Sequence, residues 1–422
     1  MALLQMNGAQ LLVRLLLAEK VRDIYGIVGG KLGPLLHAIS QQDALRFLGV
    51  RHEAAGPMMA AAAYAGSGQI AVALGEMGPG GLNLASGLGV AFNNNLALLA
   101  ITTNQHRAAS YPHSGMFMDL DTVAVTRPIT KWNAVVQDAR RLPELVRRAF
   151  REALAGRPGP VHLDIPQDVL GQVCEFDSSE FDVPPSRYRA IGRMRPDADE
   201  VRQALALMHA ARRPLIVAGG GVVTSGAADQ VRELARRWRA PVLPTQMALG
   251  VVATESPHFI GHGGLIAGDP VRQAFEQSGL VHAVGCRRSS WMWDERGPLA
   301  RRSQRLISIN IDASALGHPA LHDLALQSDA RSALDDLLAH GAQELGEAVD
   351  REWLPGLRRA RGLYESRLTS MREEAAPDQP MHPAALAHAI GQALPADALA
   401  VFDGGHTSFW ANDLTPVHDL AT

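Results

Sequence analysis

Cysteine is almost absent from this chain. Cys174 and Cys286 are the two in 422 residues, and neither stands at metal-ligand spacing from other candidate ligands. A disulfide framework is thereby excluded, no metal site is expected from these residues, and a reducing compartment, the cytoplasm, is the expected location. Excess charge is absent too. Forty Lys and Arg face 43 Asp and Glu, a net charge of −3, so the basic footprint of a nucleic-acid binder is missing. No uninterrupted apolar run is long enough to span a membrane. The N-terminus is apolar, but Asn7, Gln10 and Arg14 interrupt it and no basic residue precedes it. Leu11, Leu12, Leu15 and Leu16 recur at helical spacing, which reads as an amphipathic helix rather than a secretion signal.

What is present is ordinary globular material. A hydrophobic fraction of 47% with 20% charged residues supplies apolar surface for sizeable cores. The length suggests about three domains. Forty Gly and 25 Pro point to many short connections, as in α/β proteins.

From residue 7 to about 170, helical and strand patterns alternate. Apolar strands are expected at Asp23–Gly30, Leu45–Val50, Ile70–Leu74, Leu96–Thr102 and Pro160–Pro166, with helices between them. Such alternation calls for a parallel sheet covered on both faces. Residues 171–195 lose the rhythm, and Asp177–Pro185 is polar and proline-bearing, so a linker is expected there. A second α/β unit spans 196–345, with strands at Pro214–Ala218, Ala240–Pro244, Leu280–Val284 and Leu306–Ile311. Residues 346–380 read as a solvated connecting helix. A third unit opens at 381 with a helix over Pro383–Leu394 and a strand over Ala398–Phe402, and the sequence stops at Thr422.

Chemistry is suggested at a few junctions. Val50-Arg51-His52-Glu53-Ala54-Ala55 puts one carboxylate, Glu53, where a strand hands over to an Ala- and Met-rich helix. By itself that acid could simply start the helix, since helix N-termini favour anions. His52 points away from Glu53 in an extended chain and reads as structural. Gly78-Pro79-Gly80-Gly81-Leu82-Asn83 and Gly219-Gly220-Gly221 each follow a strand and precede a helix. Glycines there let a ligand approach the backbone, and a plain tight turn explains them equally well. The second turn has Thr224 where a full dinucleotide fingerprint would place glycine. Asp403-Gly404-Gly405-His406-Thr407 could face a phosphate or merely end a strand. Trp291 and Trp293 read as packing residues, and Cys286 beside Arg287 as a buried strand-end thiol.

Taken in order, these motifs resemble the thiamine diphosphate (ThDP) enzyme superfamily of acetolactate synthase, benzoylformate decarboxylase and benzaldehyde lyase. Arg51-His52-Glu53-Ala54-Ala55 is similar to its R-H-E-x-x segment, and Gly78-Pro79-Gly80 through Asn83 to its G-P-G-x-x-N turn. Pro128-Ile129-Thr130-Lys131-Trp132 and Gly159-Pro160-Val161-His162-Leu163-Asp164-Ile165-Pro166 resemble two further stretches. Gly219-Gly220-Gly221-Val222, Gly285-Cys286-Arg287 and Asp403-Gly404-Gly405-His406 complete the series. The resemblance implies a pyrimidine-binding (Pyr) domain over 1–170, a linker over 171–195 and a central Rossmann-like domain over 196–345. A linker helix over 346–380 and the N-terminal part of a diphosphate-binding (PP) domain over 381–422 would follow. It implies ThDP and Mg²⁺ as cofactors. Glu53 would hydrogen-bond the aminopyrimidine ring and promote loss of the thiazolium C2 proton, so that a 2-oxo acid can be attacked and decarboxylated. Gly29, Gly78, Pro79 and Asn83 would line the pyrimidine side, and Gly404, Gly405, His406 and Thr407 the diphosphate. Gly219, Gly220, Gly221 and Arg287 would be the place for FAD or an ADP-like group. A homo-oligomer, dimer or tetramer, is implied, because the family builds its site between subunits.

Departures from the family temper the expectation. Its PP-domain G-D-G motif and the later Asn, which hold Mg²⁺ through oxygen ligands, are not found. A second chain carrying them is therefore expected to complete a carboligase or lyase acting on a 2-oxo acid or aldehyde. The alternatives are a catalytically silent binding subunit, or an enzyme of the benzoylformate decarboxylase or 2-hydroxyacyl-CoA lyase kind. Phe117-Met118-Asp119 stands where acetolactate synthases read Phe-Gln-Glu, and Glu76 where benzoylformate decarboxylase has a histidine. Glu76, Phe117, Met118 and His113, the last a candidate proton shuttle, are the candidate substrate residues.

Overall fold

The structure is a computed structural model. It describes residues 3–181, 183–264, 267–287, 293–294, 297–298, 304–317, 321–341, 345–373, 380–395, 397–402 and 404–418. The chain divides into two compact units, Met1–Gly192 and Arg193–Thr422.

The first unit is built on a six-stranded parallel sheet. Its strands are β2 (Asp23–Gly26), β3 (Arg46–Gly49), β4 (Val72–Gly75), β5 (Leu99–Asn104), β6 (Trp132–Val135) and β7 (Val161–Pro166). They lie in the order β3-β2-β4-β5-β7-β6. β4, β5 and β7 are buried along their whole length, as parallel strands covered on both faces must be. Side chains alternate between two cores. Leu99 and Ile101 join Ile24, Val72, Leu163 and the leucines of the helix Gly8–Ala18 on one face. Ala100 joins Ala73, Ala60, Ala61, Leu84 and Leu88 on the other. The second face is small-residue material, and this lets two helices, Ala55–Ser67 and Pro79–Asn94, come very close. A Cβ on Gly87 would lie 2.5 Å from the Ala54 carbonyl oxygen, so only glycine permits this approach.

Several strands were not expected from the sequence, β6 of the first sheet among them, and two of these form a ribbon of their own. β1 (Leu3–Asn7) pairs antiparallel with β8 (Val173–Asp177), inside the segment read as linker. The signal was present in the alternation of β8: Cys174 and Phe176 are buried, Val173 and Glu175 exposed.

The second unit carries a five-stranded parallel sheet. Its strands are β9 (Pro214–Ala218), β10 (Val242–Pro244), β11 (Leu280–Val284), β14 (Arg305–Asn310) and β15 (Leu324–Gln327), in the order β10-β9-β11-β14-β15. A two-residue ribbon, β12 (Trp293–Asp294) with β13 (Gly297–Pro298), lies between β11 and β14 in sequence. Trp291 falls outside the described residues. The 21-residue helix Trp353–Glu373 is anchored rather than merely solvated. Trp353 and Leu357 are buried, and the Trp353 indole donates to the Pro214 carbonyl at 2.7 Å. The strand expected at 398–402 is absent. That stretch pairs with no strand among the described residues, and Leu399 and Val401 stand exposed. The helices Pro383–Ala393 and His406–Leu414 pack together, with His382 edge-on to Trp410.

Candidate active site

Glu53 occupies the turn before the helix Ala55–Ser67, and it does not cap that helix. The cap residue is Ala54, with no side-chain cap from its own position, and its N–H is taken by Nδ1 of His52 at 3.2 Å. Glu53 instead reaches across to the next helix. Its Oε2 accepts from Nδ2 of Asn83 at 2.9 Å, a contact between residues 30 apart in sequence. The close approach at Gly87 explains the meeting. Asn83 lies one turn before Gly87 and Gly80 two turns before, so all three look toward the Glu53 turn. A Cβ on Gly80 would lie 3.3 Å from Glu53 Oε1. Oε1 therefore faces a bare backbone, and it makes no hydrogen bond among the described residues.

Glu76 flanks the same glycine from the other side, where a Gly80 Cβ would meet its Cβ at 3.1 Å. Its carboxylate is turned toward main chain. Oε2 accepts the Lys31 N–H at 3.1 Å and Oε1 the Met77 N–H at 3.4 Å. Gly29 makes room for it, since a Cβ there would fall 1.8 Å from Oε2. The Lys31 ammonium is engaged elsewhere, on Oε1 of Gln167 at 2.8 Å.

The loop 105–121 closes over this end of the sheet. Gly78 has φ +62°, a conformation that favours glycine, and a Cβ on it would strike the Met118 carbonyl oxygen at 2.8 Å. Met118 is thus packed on the Gly78 turn. Its neighbour Phe117 is 77% exposed, a large apolar surface left in solvent. Nδ1 of His113 lies 2.7 Å from Oδ1 of Asp119.

Beneath the loop lies a buried polar network that the sequence reading did not pick out. Thr102 and Asp164 are register neighbours on β5 and β7. Asp164 is fully buried and accepts from Thr102 Oγ1 and from the Tyr111 hydroxyl, both at 2.6 Å. A carboxylate only accepts, so the Thr102 proton goes to Asp164. His162 Nε2, 2.7 Å from Thr102 Oγ1, must then be the donor, and its Nδ1 takes the Thr126 hydroxyl at 2.8 Å. Burial pushes the His162 imidazole down to about 4, so it is neutral at pH 7. Burial, then the Asp164 charge, pushes the Tyr111 hydroxyl up, so it stays a donor. The signal available in the sequence was polar residues, Thr102 to Asn104 and His162 with Asp164, inside otherwise apolar strands.

The remaining candidate residues belong to the second unit. At the triple-glycine turn, the Gly219 N–H donates to the Val284 carbonyl at 2.9 Å and the Gly221 N–H to Gly285 at 3.0 Å. A Cβ on Gly219 would lie 2.3 Å from the Gly285 oxygen, and one on Gly221 2.7 Å from its Cα. These glycines are explained by backbone packing on backbone. Arg287 is half-buried. Gly404 and Gly405 are exposed, and His406 and Thr407 open the helix His406–Leu414. Among the described residues no three His, Cys, Asp or Glu side chains gather as a metal site, and no helix is long and apolar enough to cross a membrane.

Comparison with known proteins matches the profile described as "Thiamine pyrophosphate enzyme, N-terminal TPP binding domain" over residues 6–125. The profile "Thiamine pyrophosphate enzyme, central domain" matches residues 201–337. The chain is 32% identical over 336 residues to a probable acetolactate synthase large subunit of Methanococcus aeolicus, covering 79% of this chain and 55% of that one. It is 31% identical over 338 residues to the acetolactate synthase isozyme 1 large subunit of Escherichia coli, covering 79% and 57%. A glyoxylate carboligase of Escherichia coli is 29% identical over 354 residues, covering 80% and 56%. The chain thus spans little more than half the length of these curated relatives.

Proposed function

The chain belongs to the thiamine pyrophosphate enzyme family, carrying its N-terminal and central domains, and on that premise we propose that it serves a ThDP-dependent carboligase or lyase of the acetolactate synthase kind, acting on 2-oxo acids. One observation carries the reading. Glu53 has one carboxylate oxygen fixed by Asn83 and the other unpaired over the bare backbone of Gly80. That arrangement suits a flat heterocycle bearing a ring nitrogen, so the residues fit the pyrimidine half of ThDP. When bound, ThDP supplies an electron sink for the carbon–carbon bond beside a carbonyl. Glu53 Oε1 would share a proton with the ring nitrogen, and Asn83 would keep Oε2 from rotating into that position. In partly buried surroundings such a charge-assisted bond is strong. Gly78 and Pro79 would admit the ring edge, and the loop 105–121 would limit water.

The diphosphate and Mg²⁺ are a separate matter. Gly404, Gly405, His406 and Thr407 are assigned to the diphosphate on the family resemblance, and oxygen ligands for Mg²⁺ would come from residues outside those described, on this or another chain. A homo-oligomer or a completing partner subunit is part of the same proposal. At Gly219–Gly221 two of the three N–H donors are spent on the β11 turn, and no step is assigned to FAD.

The test is Glu53→Gln, which keeps shape and removes the exchangeable charge. Turnover of pyruvate by the holoenzyme is expected to fall by about 10²–10⁴, the usual worth of a positioned proton-transfer group. Equal turnover by variant and wild type would overturn the assignment. So would failure of the chain to bind ThDP with Mg²⁺ in calorimetry, both alone and with a completing chain.

A further inference from the structure

A groove lies at the other end of the first sheet from Glu53. β2 and β3 run parallel, Glu53 follows β3, and the groove opens at the residues that lead into β2. Its volume is about 310 Å³, enough for a small molecule. Lys20, Ser186 and Arg189 form its polar wall, and Ala18, Pro185 and Ile191 its apolar wall.

Arg189 is fixed in advance of any ligand. One of its Nη1 donors is spent on Glu19 Oε2 at 2.6 Å, and the Tyr188 hydroxyl donates to the other oxygen of that carboxylate. Burial, then the bond to Glu19, pushes the Tyr188 hydroxyl up, so it stays a donor. The Glu19 side chain is 2% exposed and that of Arg189 16%. The guanidinium also lies over the rings of Tyr188 and Phe150, at 5.6 and 6.0 Å. A guanidinium carries five N–H donors, and the rest of them meet no acceptor among the described residues. A donor set this far buried calls for a partner.

Lys20 is placed at a cost. It has φ +62°, its N–H on the Leu17 carbonyl at 2.9 Å and the next N–H, of Val21, on that of Leu16 at 3.0 Å. This is the helix-ending position where glycine is usual, and a lysine there is strained. Its ammonium has no partner among the described residues.

We propose that the groove is a binding site for a small aliphatic monocarboxylate. The proposal stands apart from the carboligase reading. The guanidinium edge left over by Glu19 and the Lys20 ammonium would take the carboxylate, with the Ser186 hydroxyl as a third donor. Lys20 and Arg189 against Glu19 leave one positive charge, and the end of the helix Gly8–Ala18 offsets about half of it. That balance suits a single anionic charge better than a double one. Ala18, Pro185 and Ile191 would cover the aliphatic part. Pro185 to Ile191 belong to the segment by which the chain leaves the first unit at Gly192. An occupant would therefore fasten that segment to the end of the helix Gly8–Ala18.

The test is methyl NMR of the full chain during titration with 3-methylbutanoate, Ile191→Val identifying the Ile191 signal. That signal is expected to move saturably, and to stay in place with 3-methyl-1-butanol, which lacks the charge. Lys20→Gly removes the ammonium and relaxes the backbone. It should raise Kd for 3-methylbutanoate about tenfold, the worth of one charged hydrogen bond, while the urea midpoint holds or rises. That midpoint separates lost binding from lost folding. An unmoved Ile191 signal overturns the proposal, as does an equal Kd in Lys20→Gly or an equal response to the alcohol. Inorganic phosphate binding as tightly as 3-methylbutanoate would also overturn it, because the apolar wall would then contribute nothing.

Discussion

Lowering the pH should weaken the second unit through one residue, His282. It lies in the middle of β11 with 0% exposure, and neither ring nitrogen has a hydrogen-bond partner. Its ring stands edge-on to Trp238 at 6.1 Å. Burial alone pushes its imidazole down to about 4. In the unfolded chain the same group titrates near 6.5. Between those values the unfolded state binds the proton and the folded state does not, so stability is full above about pH 6.5 and falls as pH drops toward 4. The gap corresponds to about 3 kcal/mol at the low end, a large share of a typical domain's stability. The assay is a urea midpoint for β11, followed by hydrogen exchange of its amides at pH 7.5, 6, 5 and 4. His282→Leu should flatten that profile. It should also stabilise the unit at pH 7 by about 1 kcal/mol, because it removes two unsatisfied buried polar atoms and keeps the apolar contact with Trp238. An equally acid-labile His282→Leu would refute the argument, as would a variant markedly less stable at pH 7.

His162 in the first unit is equally buried and also pushed down to about 4, yet both its nitrogens are bonded, so His162→Leu should destabilise that unit by about 2–3 kcal/mol in urea titration. Tyr111→Phe deletes the hydroxyl that donates to buried Asp164 and should lower the stability of the first unit by about 1 kcal/mol in urea titration. Gly87→Ala must push the Ala54 carbonyl away from 2.5 Å, which moves Glu53 off Asn83; ThDP affinity should fall at least tenfold in calorimetry. Trp353→Phe loses the indole donor to Pro214 and should lower the stability of the second unit by about 1 kcal/mol in the same urea assay.

Most of the strands that were legible in the sequence are buried along their length, with half-exposed β3 an exception. β4, β5 and β7 appear as apolar runs because a parallel sheet leaves them no solvent side. β1 and β8 escaped because they form a short two-stranded ribbon whose polar positions blend with the neighbouring loop. The segment 398–402 misled in the opposite sense. Its apolar residues satisfy the strand pattern, but pattern creates a strand only where a partner edge is present.

The site residues divide along the same line between local and non-local causes. Gly219 and Gly221 look alike whether a turn cradles a phosphate or packs on another turn. The partner on which they pack, Gly285, is 64 positions past Gly221 and lies outside the local pattern. Glu76 reads from the sequence as a candidate substrate residue, and in the fold its oxygens accept from the N–H groups of Lys31 and Met77. Glu53 had a sufficient local explanation as a helix-starting acid, and that explanation fails because its carboxylate is held by Asn83 and makes no cap on the helix Ala55–Ser67. What turns Glu53 into a candidate catalytic group is a glycine elsewhere. Gly87 brings the two helices close enough for Asn83 to hold one oxygen of Glu53 and leave the other unpaired. The chemistry of that carboxylate is therefore set by packing between helices, and Gly87→Ala should damage it without altering a side chain that bonds Glu53.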